Sequence, residues 1–196
     1  MPRAFSVQEE ASIRELLRNV ARRLFASQGV LKTSLEQITS AAGIAKGSFY
    51  KFYQTKEVLF FELLEDSQNR IRAPLLVGNL PSHQKTRRHF EKRVRSLFDQ
   101  ICADPLVQYM GREQELLAIV RKTPPEILSA HQKEDQAFLD TLIKRWNTKS
   151  KPPIRDVVAA RVSVLLLVSL KRDFLGERLF PHAATSAIES LADCFF

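Results

Sequence analysis

The segment TSLEQITSAAGIAKGSFYKFYQTKEVL, residues 33–59, holds two short helical patterns parted by a single glycine. Thr33 and Glu36 have the spacing of a capping box, and Leu35, Ile38, Ala41 and Ala42 supply a small-residue face down to Gly43. A second piece runs from Ile44 to Tyr53. Alanines at the crossing allow close approach, and Gly43 permits the positive φ of a sharp turn, so the pair predicts a helix-turn-helix. In the second helix Ile44, Phe49 and Tyr53 face inward, leaving Lys46, Ser48, Tyr50 and Lys51 outward. Lysine donates to guanine or phosphate, a hydroxyl to either, and tyrosine to phosphate, which is the mixture a recognition helix needs. Thr33 and Lys56 stand at the starts of the flanking helices, where backbone N–H groups bind phosphate oxygens. Spacing alone leaves a second reading open, because similar turns occur in helical proteins that never touch DNA.

Prolines at 74, 81, 105, 124, 125, 152, 153 and 181 divide the rest into helical segments, since proline is expelled from helix interiors. Ser6 and Glu9 predict a capped helix ending at Gly29, with Ile13, Leu16, Leu17, Val20 and Leu24 as its apolar stripe. A helix capped by Thr55 is expected to stop at Pro74. Another runs from Ser82 to Ala103 with Phe90, Val94, Leu97, Phe98 and Ile101 on one face. Thr123 and Glu126 suggest a further box before Ile127, Leu128, Phe138, Leu142 and Trp146. Pro153 opens an apolar helix through Leu170, and Pro181 opens the last one. The fold class is all-α: an N-terminal three-helix helix-turn-helix domain and a larger C-terminal helical body.

Composition narrows the classes. The 196 residues suffice for one full domain or two small ones, with 44% hydrophobic and 27% charged residues. Lys and Arg number 30 against 22 Asp and Glu, a net +8 that favours an anionic partner. Residues 1–60 hold nine of those cations and five of the anions, so the excess is densest beside the two short helices. Cys102 and Cys194 stand alone, which excludes zinc fingers and disulfide scaffolds and suits a reducing cytoplasm. MPRAFSVQEE has no apolar core of a signal peptide. The apolar run Val162–Leu170 is nine residues, where a membrane-spanning helix needs about 20, so a soluble cytoplasmic chain is expected, with no membrane partner.

Leu35–Leu59 resembles, without gaps, the DNA-binding signature of the TetR family of bacterial repressors, and the likeness extends over roughly residues 8–65. The resemblance implies a DNA-binding domain over 1–55, a linking helix over 56–73, and a ligand-binding and dimerisation domain over 74–196. It places Lys46, Ser48 and Lys51, with Gly47 among them, where the family reaches base edges or adjacent phosphates. It places Tyr50, Thr33 and Lys56 at phosphate contacts. One departure stands out: the family commonly has a polar-tipped aromatic followed by Phe, whereas the order here is Phe52-Tyr53.

The body is read with its alternatives open. Phe90, Val94, Phe98, Met110, Phe138 and Trp146 either line a ligand cavity or make ordinary core. Arg88, Lys92 and Arg95 share a helical face, either solvated or anion-binding. Val158, Val162, Leu165 and Leu166, with Ile188, Leu191 and Phe195, form either a two-fold dimer interface or buried core. No nucleophile–base constellation, cofactor motif or metal-ligand spacing occurs, so enzyme activity is not expected. The expected function is a homodimeric regulator on palindromic double-stranded DNA, released by an apolar or aromatic inducer. The alternative is a DNA-binding module without an inducer, governed by protein partners.

Overall fold

The computed structural model describes residues 6–76 and 85–196, and among them the regular structure is helical throughout. In chain order the helices are α1 (Val7–Gln28), α2 (Leu35–Ala41), α3 (Lys46–Phe49), α4 (Lys56–Leu76), α5 (Arg87–Ala103), α6 (Pro105–Gln108), α7 (Glu113–Val120), α8 (Pro125–Trp146), α9 (Arg155–Leu170) and α10 (Arg172–Ala192). A single 3-10 turn, Tyr109–Gly111, follows α6. The chain divides into two compact units. One holds the described residues up to Asp66 together with Arg112–Leu128; the other holds Ser67–Gly111 and Ser129–Phe196. Helix α4 thus gives its first half to one unit and its second half to the other.

In the first unit α1 begins as the sequence predicts. The Ser6 hydroxyl accepts from the Glu9 N–H, the Glu9 carboxylate accepts from the Ser6 N–H, and Gly29 closes the helix at φ 85°. The apolar face is rotated from the expected one. Leu17, Val20, Ala21 and Phe25 are buried, at i, i+3, i+4 and i+8, whereas Leu16 is exposed. Phe25 meets Phe60 of α4 edge-on at 6.0 Å between ring centroids, which sets that rotation. The capping box of α2 is shifted by one residue: Ser34 and Gln37 exchange the two bonds rather than Thr33 and Glu36. Thr55 caps α4 through the Val58 N–H, as expected.

In the second unit α10 packs along α9, and both pack on α5. Helix α5 is capped by Thr86; the expected start at Ser82 lies outside the described residues. Its face of Phe90, Val94, Leu97 and Phe98 is buried. Pro74 does not end α4, which runs on to Leu76. Carbonyls in a last helical turn lack intrahelical donors, and here side chains supply them. The Trp146 indole N–H donates to the Leu75 carbonyl at 3.0 Å, and the Arg93 guanidinium donates to the carbonyl of Pro74. Two further starts differ from expectation. The Thr123 hydroxyl donates back to the Ile119 carbonyl, closing α7 instead of opening α8. Pro181 lies inside α10, and the break falls at Gly176, whose φ of 68° only glycine adopts without strain.

Candidate functional site

Gly43 adopts φ 65°, and its neighbours bond across the turn: the Gly43 N–H donates to Ser40 and the Ile44 N–H to Thr39. Helix α3 is shorter than the expected Ile44–Tyr53. Its regular part is one turn, and hydrogen-bonded turns from Phe52 and Tyr53 back to Phe49 carry the chain to Tyr53. Phe49 and Tyr53 are buried, with ring centroids 5.7 Å apart, so they anchor this piece to the unit. That anchoring leaves Lys46, Gly47, Tyr50 and Lys51 exposed and Ser48 partly so. Gly47 opens onto empty space where a Cβ would stand. A contiguous face of two ammonium groups and two hydroxyls results, on a rigid support.

The anchoring is electrostatic as well as apolar. The Tyr53 hydroxyl donates to Glu62 at 3.1 Å, and the Arg18 guanidinium of α1 pairs with both Glu62 and Asp66 of α4. Partial burial works against the Arg18 charge, but the two carboxylates outweigh it and raise its pKa. Burial, reinforced by Glu62, raises the pKa of the Tyr53 phenol. The Tyr53 hydroxyl is therefore committed inside the unit. Arg14 covers the Tyr53 ring at 5.1 Å and the Phe52 ring at 5.9 Å, placing a guanidinium beside the position where Phe52 has no donor.

The remaining expected DNA contacts occupy different surroundings. Lys46 pairs with Glu36 across the turn, and the hydrogen bond from Lys46 holds the Glu36 carboxyl below its ordinary pKa. As pH falls the pair is thus lost at a lower pH than an unpaired glutamate would protonate. Thr33 is fully buried; its hydroxyl donates to the Gly29 carbonyl at 2.7 Å and accepts from Gln28. Lys56 is half-buried, and its ammonium donates to the carbonyls of Val30, Leu31 and Thr33. Burial lowers its pKa, with Glu57 opposing and Lys122 reinforcing the shift. Thr33 and Lys56 hold the α1–α2 loop together from within.

The second unit contains a cavity of about 60 Å³, lined mainly by aliphatic side chains from α4, α5, α8 and α9. Val94 and Phe138 line it; Phe90, Phe98, Met110 and Trp146 do not. Phe90 packs against Trp146 at 5.0 Å and Phe195 at 5.1 Å, an aromatic cluster that fills its own space. Phe98 meets Phe180. Met110 lies just behind the wall, its sulfur accepting from the Gln68 amide at 3.7 Å. Val162, Leu165, Leu166 and Leu191, which the sequence leaves as either interface or core, line the cavity. Val158, Ile188 and Phe195 are buried within the unit. The apolar residues that α9 does expose are Val157, Val164 and Leu167, while α10 exposes Phe174 and Leu179. Arg88, Lys92 and Arg95 border a shallow groove with Thr185, to which Arg95 donates at 2.9 Å.

Gln68 and Arg72 escaped the sequence reading. The signal was present: Leu64, Gln68, Ile71 and Leu75 recur at i, i+4, i+7 and i+11, which puts a glutamine into a buried apolar stripe.

Residues 17–63 match the family model described as bacterial regulatory proteins, tetR family. The HTH-type transcriptional regulator AcrR of Shigella flexneri is 42% identical over 64 residues, covering 33% of this chain and 30% of that protein. The N-terminal helix-turn-helix of the chain therefore matches that of the TetR family. The HTH-type transcriptional repressor DhaR of Mycobacterium sp. strain GP1 is 27% identical over 142 residues, 70% of this chain and 69% of DhaR. A Mesorhizobium loti protein described as a TetR-family transcriptional regulator shares the fold, with TM-score 0.64 at 17% identity over 93% of this chain and 96% of that one. The alignment with AcrR thus spans under a third of that regulator. These relatives are transcription regulators and not enzymes. Among the described residues no helix is long and apolar enough to cross a membrane.

Proposed function

We propose that this chain acts in the cytoplasm as a homodimeric repressor that binds a palindromic operator and is released by a small apolar inducer. The observation that carries the DNA-binding part is the exposed face of Lys46, Ser48, Tyr50 and Lys51, held rigid by buried Phe49 and Tyr53. In the complex Lys46, Ser48 and Lys51 reach base edges or adjacent phosphates, and Tyr50 donates to phosphate. Thr33 and Lys56 serve by fixing the loop whose backbone approaches the next phosphates, with Gly47 allowing close backbone approach to the DNA.

The dimer forms through the outward side of α9, where Val157, Val164 and Leu167 leave an apolar stripe in water. Two-fold symmetry then sets two reading faces about 34–36 Å apart, or a multiple of that, and demands a palindrome. An inducer occupying the cavity of the second unit favours one conformation, and α4, which belongs to both units, carries the difference to the reading face.

Sedimentation of the full chain with a duplex that it binds specifically tests the assembly. Two or more chains per duplex, in even numbers, are expected; a single chain overturns the dimeric reading. If bound DNA ignores every candidate ligand and cavity variants leave its release unchanged, the inducer part falls.

A further inference from the structure

The cavity of the second unit is apolar except at Gln68 and Arg72. Gln68 of α4 is 7% exposed, and its carbonyl oxygen Oε1 is buried with no hydrogen-bond partner. The orientation of this amide follows from its neighbour. Met110 sulfur can only accept, so the amide N–H₂ turns toward it and the oxygen is left over. Buried polar atoms are nearly always paired, and an unpaired one is costly, so this oxygen needs a partner from outside the chain.

Water is a poor candidate for that partner. A buried water is held by two to four polar groups, whereas the cavity offers Gln68 among Ile71, Leu75, Leu97, Phe138 and Leu142. The space of about 60 Å³ is also several times the roughly 10–15 Å³ that one water occupies. The other polar side chain on the wall is Arg72, and its charge is already answered. Arg72 pairs with Asp135 at 2.7 Å and lies over the Phe138 ring at 4.7 Å. An incoming carboxylate would have to displace Asp135, and an incoming cation would meet no free carboxylate on the wall. The same Arg72 and Phe138 also border an open groove between α4 and α8, with Asn69, Ala73, Ala137 and Thr141.

We infer that the cavity takes a small neutral, mainly apolar molecule bearing one hydrogen-bond donor, of the phenol or alcohol class, which donates to Gln68 Oε1. This rests on the reading of the chain as ligand-controlled, and it narrows the ligand from any apolar compound to neutral donors. Fatty acids and organic cations are excluded.

The test uses the full chain without DNA, titrated in a calorimeter with phenol, toluene and benzoate, alongside Gln68→Leu. Phenol and toluene have nearly the same shape and differ by the donor. Phenol is expected to bind at least about tenfold more tightly than toluene, and benzoate no better than toluene. In Gln68→Leu the preference for phenol disappears while toluene still binds. Equal binding of phenol and toluene, a preference that survives Gln68→Leu, benzoate binding as tightly as phenol, or no binding by any probe overturns the inference. DNA release is measured separately. Gln68-dependent phenol binding that leaves bound DNA untouched sustains the assignment of the site and overturns ligand control. Release by a carboxylate effector that Gln68→Leu does not affect does the opposite.

Discussion

The ammonium of Lys56 donates to the main-chain carbonyl of Val30 at 2.7 Å, joining the first turn of α4 to the loop that follows α1. It also reaches Leu31 and Thr33, so one side chain holds three carbonyls of the segment leading into α2. Replacing Lys56 by Met keeps the aliphatic stem and removes the donors. The variant is expected to lose about 1–3 kcal/mol of stability in DNA-free chemical denaturation, because buried carbonyls lose their partner. A lysine that served only as a phosphate contact would leave DNA-free stability unchanged.

Tyr50 and Lys46 are exposed; Tyr50 meets Phe49 through its ring, which Phe retains, and Lys46 pairs with the exposed Glu36, so their substitution separates binding from folding. Tyr50→Phe and Lys46→Ala should each weaken DNA binding several-fold while the melting curve stays within about 0.5 kcal/mol of wild type. For Lys46→Ala the slope of log K against log salt should flatten by about 0.9 per lost phosphate charge in each subunit if Lys46 meets phosphate. An unchanged slope with lost sequence preference would place Lys46 on a base edge instead. Fluorescence anisotropy across a salt series reads both quantities.

Glu36 competes with DNA for Lys46. Glu36→Gln removes a negative charge from the reading face and frees the ammonium, so affinity for any duplex should rise and the salt dependence steepen. Since Lys46 holds the Glu36 carboxyl below its ordinary pKa, the difference between wild type and variant should persist at pH 5. A difference that vanishes there would show that the pair does not persist in solution.

The two sides of α9 should respond differently. Leu165 is buried, and Leu165→Ala is expected to cost about 2–5 kcal/mol of stability. Val164 and Leu167 are exposed in the single chain, and Val164→Glu with Leu167→Glu should leave each chain folded yet monomeric in sedimentation velocity. DNA affinity should fall with the loss of the second reading face. A folded double variant that remains dimeric would move the interface elsewhere.

What the sequence made legible follows local chemistry. Ser6 with Glu9, Gly29, Gly43 and the cap at Thr55 are short-range rules, and the all-helical class follows from them. The outward set Lys46, Tyr50 and Lys51 was legible because buried Phe49 and Tyr53 fix which side of a short helix faces water. Which side of a long apolar helix faces its own core was not. Val158 and Leu165 differ from Val157 and Val164 by one residue each, and only the packing of α9 on α5 and α10 separates them. Phe90 and Trp146 have pocket-like chemistry, yet they fill each other's space. Pro74 was read as a stop because the side chains that satisfy its helix end lie 19 and 71 positions further along, on α5 and α8. The resemblance places Thr33 and Lys56 at phosphate contacts; what the sequence does not show is that they also bond within their own unit, Thr33 to Gly29 and Gln28 and Lys56 to the loop carbonyls.

The central claim is that two copies of the Lys46–Lys51 face read DNA together, and selection of bound duplexes from a random pool by the full-length chain tests it most directly. The expected result is a palindrome with half-site centres about 10–10.5 base pairs apart or a multiple of that, enriched by wild type and lost with Tyr50→Phe combined with Lys46→Ala. No enriched sequence, a motif without two-fold symmetry, or the same palindrome selected by the double variant would contradict it.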